Sequence, residues 1–192
     1  MSKKDEILQA ATKLLALKGF KDTSMAELAK ITGVAQGTIF YHYTSKEELF
    51  LSILKAFKDD IVTEFNRYTQ GHHFPSGLEM MDSVIDFYLH IAGEMEDRFK
   101  LLHRPHAYEL ARVNPDCRDC LESIYDCLID IFEQAIVTGQ QDGTIRLAEA
   151  RHLAMVIFTM VDGLVRFNAY QLYDAGSLYE EMVQSCRILI RR

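Results

Sequence analysis

The sequence predicts an all-helical protein in two parts, a small three-helix unit at the N-terminus followed by a larger helical body. Three observations lead there. Apolar residues recur at helical spacing along the chain, and no sustained period-2 run of strand-forming residues interrupts them. Ser-x-x-Glu capping boxes and glycine stops punctuate the chain where helices should begin and end. Only three prolines occur in 192 residues, 48% of which are apolar, so long helices and a sizeable core are both possible. The periodic segments amount to about nine helices and no strands.

Each element has its own signals. The first helix is expected from about Lys4 to Lys18, with Ile7, Ala11, Leu14, Leu15 and Leu17 as its apolar stripe and Gly19 as its cap. Ser24-Met25-Ala26-Glu27 opens a short helix that continues through Leu28, Ala29 and Ile31 and breaks at Gly33. A second short helix covers about Ala35 to Tyr41. Ser45-Lys46-Glu47-Glu48 then opens a long helix carrying Leu49, Phe50, Ile53, Leu54, Phe57, Ile61 and Phe65. Gly71 to Gly77, with Pro75 and Ser76, reads as a loop.

Helices follow from about Leu78 to Ile91 and from Glu94 to Arg112. The second should kink or break near His103, because Pro105 lacks a donor and clashes with the preceding turn. Asn114-Pro115 is an N-cap with proline at the first helical position. Its helix is expected to reach about Thr138, with Gly139 as its stop and Asp142-Gly143 as a turn. The last two helices are expected over about Ala148–Leu172 and Ser177–Arg191, the latter opened by Ser177-x-x-Glu180. No repeat or low-complexity tract appears. The head is assigned to residues 1–50 and the body to residues 51–192, with the seam inside the long helix near Ala56–Asp60.

The formal net charge of −7, taken whole, argues against a nucleic-acid partner. Its distribution argues the other way. Residues 1–58 hold nine lysines and six acids, a balance of +3, whereas residues 59–192 carry a balance of −10. A basic head on an acidic body is where a nucleic-acid-binding module is sought. The longest uncharged apolar run, Leu153 to Val161, falls short of the roughly 20 residues of a membrane span. With no signal-peptide core at the N-terminus, a cytoplasmic location is expected.

Two short helices joined by a glycine turn, after a longer first helix, describe a helix-turn-helix unit. Met25, Leu28, Ala29, Val34 and Ile39 can close a small core with Leu14 and Phe20. The second short helix then presents Gln36, Gly37, Thr38, Tyr41 and His42 outward. Gln36 can pair with adenine, Thr38 can touch a thymine methyl or a phosphate, and Gly37 permits close backbone approach. Tyr41, His42 and Lys46 can reach phosphates.

The stretch Thr23-Ser24-Met25-Ala26-Glu27-Leu28-Ala29, followed by GVAQGTIFYHYTSKEEL from Gly33 to Leu49, resembles the DNA-binding domain of TetR-family transcriptional regulators. The resemblance covers about residues 4–50. It implies a head that binds double-stranded, palindromic operator DNA, on a helical ligand-binding and dimerisation domain. By position it implies DNA contacts from Ser24, Gln36, Gly37, Thr38, Tyr41, His42 and Lys46. Phe40 stands where many members have tyrosine, so that hydroxyl is missing, and Ala26 stands where some carry a polar base-reading residue. Every basic side chain before residue 59 is a lysine, so bidentate arginine readout of guanine is not expected from the head.

In the body, the helix over Ala148–Leu172 is apolar nearly all round, which suits burial on more than one side. With the final helix it is expected to form a two-fold, four-helix homodimer interface from Val156, Met160, Gly163, Phe167, Met182, Cys186 and Leu189. A pocket for a mid-sized, partly apolar inducer is expected among Phe65, Phe87, Tyr88, Phe99, Leu102, His103, His106, Tyr125, Phe132, Phe158 and Asp162. Plain core packing is the competing reading for each of these aromatics. A ligand-responsive regulator, most simply a repressor, follows. The long helix from Ser45 is the expected lever between head and body.

Two other readings are open. Cys117-x-x-Cys120, with Cys127 further along, is a redox or metal half-motif, and a thiol near a helix N-terminus should have a lowered pKa. No second pair at zinc spacing accompanies it, so no metal site or cofactor is assigned. A di-iron enzyme body needs two Glu-x-x-His motifs, and only Glu149-His152 is present. Phosphate-binding glycine loops and nucleophile elbows are missing too, so no catalytic residue is assigned.

Overall fold

The computed structural model describes residues 2–192. Ten α-helices and one 3-10 turn make up the described elements, with no strand among them. They run α1 Lys3–Lys18, α2 Met25–Thr32, α3 Gln36–His42, α4 Lys46–Thr69 and α5 Gly77–Glu94. Then come α6 Glu96–His103, α7 Pro105–Ala111, α8 Pro115–Asp142, α9 Ala150–Ala169 and α10 Tyr179–Ile190, the last preceded by a 3-10 turn over Ala175–Leu178. The count exceeds nine because the segment before Pro105 ends at His103 and a new helix starts on the proline itself.

The chain forms two compact bodies. One comprises residues 1–59 and 97–124, the other residues 60–96 and 125–192, and α4 and α8 each contribute to both. In the first body, the inner faces of α1 to α3 bury Ile7, Leu14, Leu15, Leu28, Ala29 and Ile39. Leu17, expected in the apolar stripe, is 77% exposed, beside Ile31 of α2, which is exposed too. Phe50 and Phe57 from α4 add rings that meet Phe20 and Phe99 edge-on at 5.9 and 5.0 Å.

In the second body, α5, α9 and α10 pack on one another around Tyr88, Phe132 and Phe158, whose centroids lie 5.6–5.9 Å apart. The start of α5 crosses the last turns of α8 so closely that a Cβ on Gly77 would fall on the backbone of Gly139. This corrects the expected stop. Gly139 is buried inside α8 as a packing position, and the helix ends at Asp142, before Gly143 turns at φ +81°. Asp142 ties the corner, accepting from the Gly77 amide at 2.6 Å and from the Thr144 amide and hydroxyl.

Caps show a second set of differences. Ser2 and Asp5 form a full capping box on α1, which starts at Lys3, one residue ahead of the expected start. Ser24 and Ser45 cap their helices through Glu27 N and Glu48 N, but their glutamates turn elsewhere, Glu27 to Lys18 and Glu48 to Thr44. Ser177 caps nothing. Its hydroxyl donates to Asp174 O inside the 3-10 turn, and α10 begins two residues later.

Candidate nucleic-acid interface

Gly33 closes α2 in the left-handed conformation at φ +66°, which a side chain would strain, and the chain turns at once into α3. On α3 the residues divide by helical phase. Ile39 and, one turn on, Tyr43 are buried, while Gln36, Gly37, Phe40 and Tyr41 share the opposite, exposed face. Tyr41 is 84% exposed and meets His42 edge-on at 5.2 Å. Nothing lies within 4 Å of where a Cβ on Gly37 would stand, so the backbone there is open to a groove. Thr38 and His42 are half-buried at the flanks, and Ser24 is exposed at the N-cap of α2.

Short-range ties hold this face. The Thr44 amide and hydroxyl both donate to Glu48 Oε2 at 2.6 Å, which pins the α3–α4 corner and holds the Glu48 carboxyl below its ordinary range. Burial, with Asp5 and Glu48 nearby, pushes the Tyr43 hydroxyl up, and its oxygen has no hydrogen-bond partner. Lys46 is placed differently from the expectation. Its Nζ donates to the carbonyls of Phe20 and Thr23, 2.5 and 2.7 Å away, and lies 4.3 Å from the centre of the Phe20 ring.

Spacing along the chain gave no hint of Arg104. Its guanidinium donates to the carbonyls of Ala16 and, at 3.4 Å, Leu17 at the end of α1. A contact between residues 88 apart leaves no trace in helical periodicity.

The residues expected to line one pocket belong to two bodies. Phe99, Leu102, His103 and His106 lie in the first, while Phe65, Phe87, Tyr88, Tyr125, Phe132, Phe158 and Asp162 lie in the second. His106 stacks on Phe20 at 3.7 Å and meets Phe50 edge-on, so it serves the packing of the head. Burial lowers its pKa, against the opposing pull of Glu109 and Glu47, and Nε2 has no partner. In the second body, Tyr88 donates to Asp162 at 2.6 Å, and Tyr125 meets Phe158 edge-on at 6.1 Å. Phe65 meets Phe87 at 5.2 Å.

The expected dimer residues divide as well. Val156 and Phe167 are exposed on α9, with Met160 and Gly163 half-exposed beside them and Leu189 half-exposed on α10. Met182 and Cys186 are a correction. They face the chain's own core, sulfur to sulfur at 3.8 Å, and the exposed apolar residue of α10 is Ile188 at 80%. By length and composition alone α9 is one helix that could cross a membrane. Its Leu153, Ala154, Ile157, Phe158, Val161 and Val165 are instead buried in the second body.

The expected low thiol pKa is also overturned. Cys117 is fully buried, its Sγ donates to Ala107 O, and burial pushes its pKa up to about 11. Burial raises Cys120 too, so desolvation outweighs the helix terminus. Among the described residues, no group of three or more His, Cys, Asp or Glu is arranged to hold a metal ion.

Comparison with known proteins places this geometry. Residues 7–53 match the model of the bacterial regulatory proteins of the tetR family. The HTH-type transcriptional regulator QacR of Staphylococcus aureus is 39% identical over 190 residues, spanning 89% of this chain and 88% of that protein. The transcriptional repressor KstR2 of Mycolicibacterium smegmatis is 35% identical, but over 69 residues, 36% of this chain and only 32% of that protein. Among solved structures, a transcriptional regulator from Saccharomonospora viridis in complex with choline superposes with a TM-score of 0.78 over 98% of both chains, at 23% identity.

Proposed function

The chain belongs to the tetR family of bacterial regulatory proteins, and from that premise we propose that it is a ligand-responsive transcriptional repressor binding palindromic operator DNA as a homodimer. It acts by binding and not by catalysis, in the cytoplasm, with no cofactor. Residues 1–50 serve as the DNA-binding domain and residues 51–192 as the ligand-binding and dimerisation domain.

The observation that carries this reading is the outer face of α3, where Gln36, Gly37 and Tyr41 stand exposed on a helix whose other face is locked by Ile39 and Tyr43. A helix of this kind, presented by a glycine turn, enters the major groove with its N-terminal residues at the base edges. Gln36 is the base reader, Thr38 reads a thymine methyl or a phosphate, and Ser24, Tyr41 and His42 hold the backbone. Two such heads are needed, because a balance of +3 gives little affinity for a single copy. The exposed apolar residues Met155, Val156 and Phe167 of α9, with Ile188 of α10, support a helical dimer seam.

Repression ends by a population shift. An inducer bound better by one of two body conformations favours the state whose head spacing no longer matches the operator. The aromatic residues of the second body, with Asp162, suit a partly apolar molecule carrying a polar group. Choline, held by the structural relative, is the first compound to screen. The test is selection from a random duplex library by the purified protein. A palindromic sequence bound with steep salt dependence is expected, and failure to enrich any sequence would remove the repressor reading.

A further inference from the structure

Leu17 of α1 and Ile31 of α2 are 77% and 56% exposed and line one groove of about 390 Å³ on the head. Ala10 and Leu14 add to its apolar lining, and Glu6 and Lys13 add charge. The groove belongs neither to the α3 face nor to the α9–α10 pair, since no residue of those helices lines it. Exposed apolar side chains gathered in this way mark a contact surface.

The charges say what covers it. Glu6, Ala10, Lys13 and Leu17 follow at i, i+4, i+7 and i+11, so they share one stripe of α1. Glu6 and Lys13 stand about 10.5 Å apart along the axis, with the small Ala10 between them. Lys13 makes no ion pair among the described residues. Glu6 accepts from Lys3 at 2.9 Å through Oε2, an exposed pair on the same helix that contributes little and leaves Oε1 to a partner. An acidic or a basic partner would match one of the two charges and oppose the other. A second copy matches both. When two α1 helices cross antiparallel beside Ala10, Glu6 of each meets Lys13 of the other, and Leu17 of each comes over the first turn of the other helix.

Given the reading of the head as a DNA-binding unit, we propose that this groove docks the same groove of a second dimer bound beside the first on one duplex. Eight residues line it, against about 20–30 a side in a stable interface, so it does not hold free dimers together. DNA lifts that requirement, because two dimers on one duplex meet at an effective concentration on the order of millimolar. The contact makes occupancy of paired operators cooperative.

The experiment titrates full-length protein onto duplexes with one selected palindrome or with two, their separation stepped by single base pairs through one helical turn. Cooperativity is read as the ratio of second to first binding, so a general change in DNA affinity cancels. For the wild type, the second dimer should bind about tenfold more tightly than the first at one helical phase. Lys13→Glu and Glu6→Lys should each abolish that gain, because like charges then face each other, and the two reversals combined should restore it. Leu17→Ser, at a side chain that the fold leaves exposed, should lower it as well. Three results would overturn the proposal. One is no cooperativity at any spacing, as for a groove that serves another protein. The others are cooperativity that survives Lys13→Glu, as for coupling through the DNA alone, and failure of the double reversal to restore it. Absence of selective binding to a single palindrome would instead bring down the repressor reading, and this proposal with it.

Discussion

The α1–α3 head and the α9–α10 pair use exposure in opposite ways. On α3 the exposed residues are mixed, Gln36 and Gly37 with the aromatic Phe40 and the amphipathic Tyr41, and the helix has seven residues with no side-chain cap. On α9, twenty residues long, the exposed residues include Met155, Val156 and Phe167, as apolar as the buried ones. A surface that meets phosphates and base edges must be wettable and stiff, while one that meets its own copy is stabilised by the apolar area it removes from water. The same hydrophobic spacing therefore carries different meanings in the two regions. In α3 it says which side is inside. In α9 it leaves two insides to be told apart.

The comparison breaks first where packing is deepest. Phe132 is fully buried among Tyr88 and Phe158, so Phe132→Ala should cost about 3–5 kcal/mol in denaturant unfolding. A smaller loss would mean that the aromatic cluster of the second body is loosely filled. Gln36→Ala touches no core and should leave unfolding unchanged. It should cost about 1–3 kcal/mol of affinity for the selected duplex and relax preference at one base pair. If unfolding moved and binding did not, the division of α3 into two faces would be wrong.

Val156→Glu places a charge on the exposed apolar face of α9, and sedimentation should show monomers at concentrations where the wild type is dimeric. Cys186→Ser, by contrast, acts on the inside of α10 and should lower stability without changing the oligomeric state.

The smallest effect concerns His106. Its folded pKa lies below the ordinary value of 6.5, mainly through burial, so the folded head holds it neutral. That stability is complete above about pH 6.5 and is lost as the pH falls through the folded pKa. Urea midpoints should therefore drop between pH 7.5 and 5.5, and less so in His106→Phe, which keeps the stack on Phe20 without a proton to gain.

The all-helical class, the Pro105 break, the Gly33 turn and the inward side of α3 were legible in the sequence because each depends on residues within about one helical turn. Caps were legible only in part. Ser-x-x-Glu spacing found Ser24 and Ser45 but also Ser177, where the chain makes a 3-10 turn, and spacing says nothing of a glutamate's rival partners. Cysteine chemistry was misjudged for a related reason. Proximity to a helix start is local, and the burial that raises Cys117 is not.

What the sequence determined by itself is the set of local choices: helix, turn and the face each short helix turns inward. Only the tertiary structure decided that Lys46 and Arg104 close the end of α1 and its turn, that Gly139 is a crossing point and not a stop, and that Met182 and Cys186 face their own core. The physical reason is one of range. Backbone hydrogen bonds and caps are satisfied within a few residues, whereas burial and the partner of a long cationic side chain depend on chain segments tens of residues away.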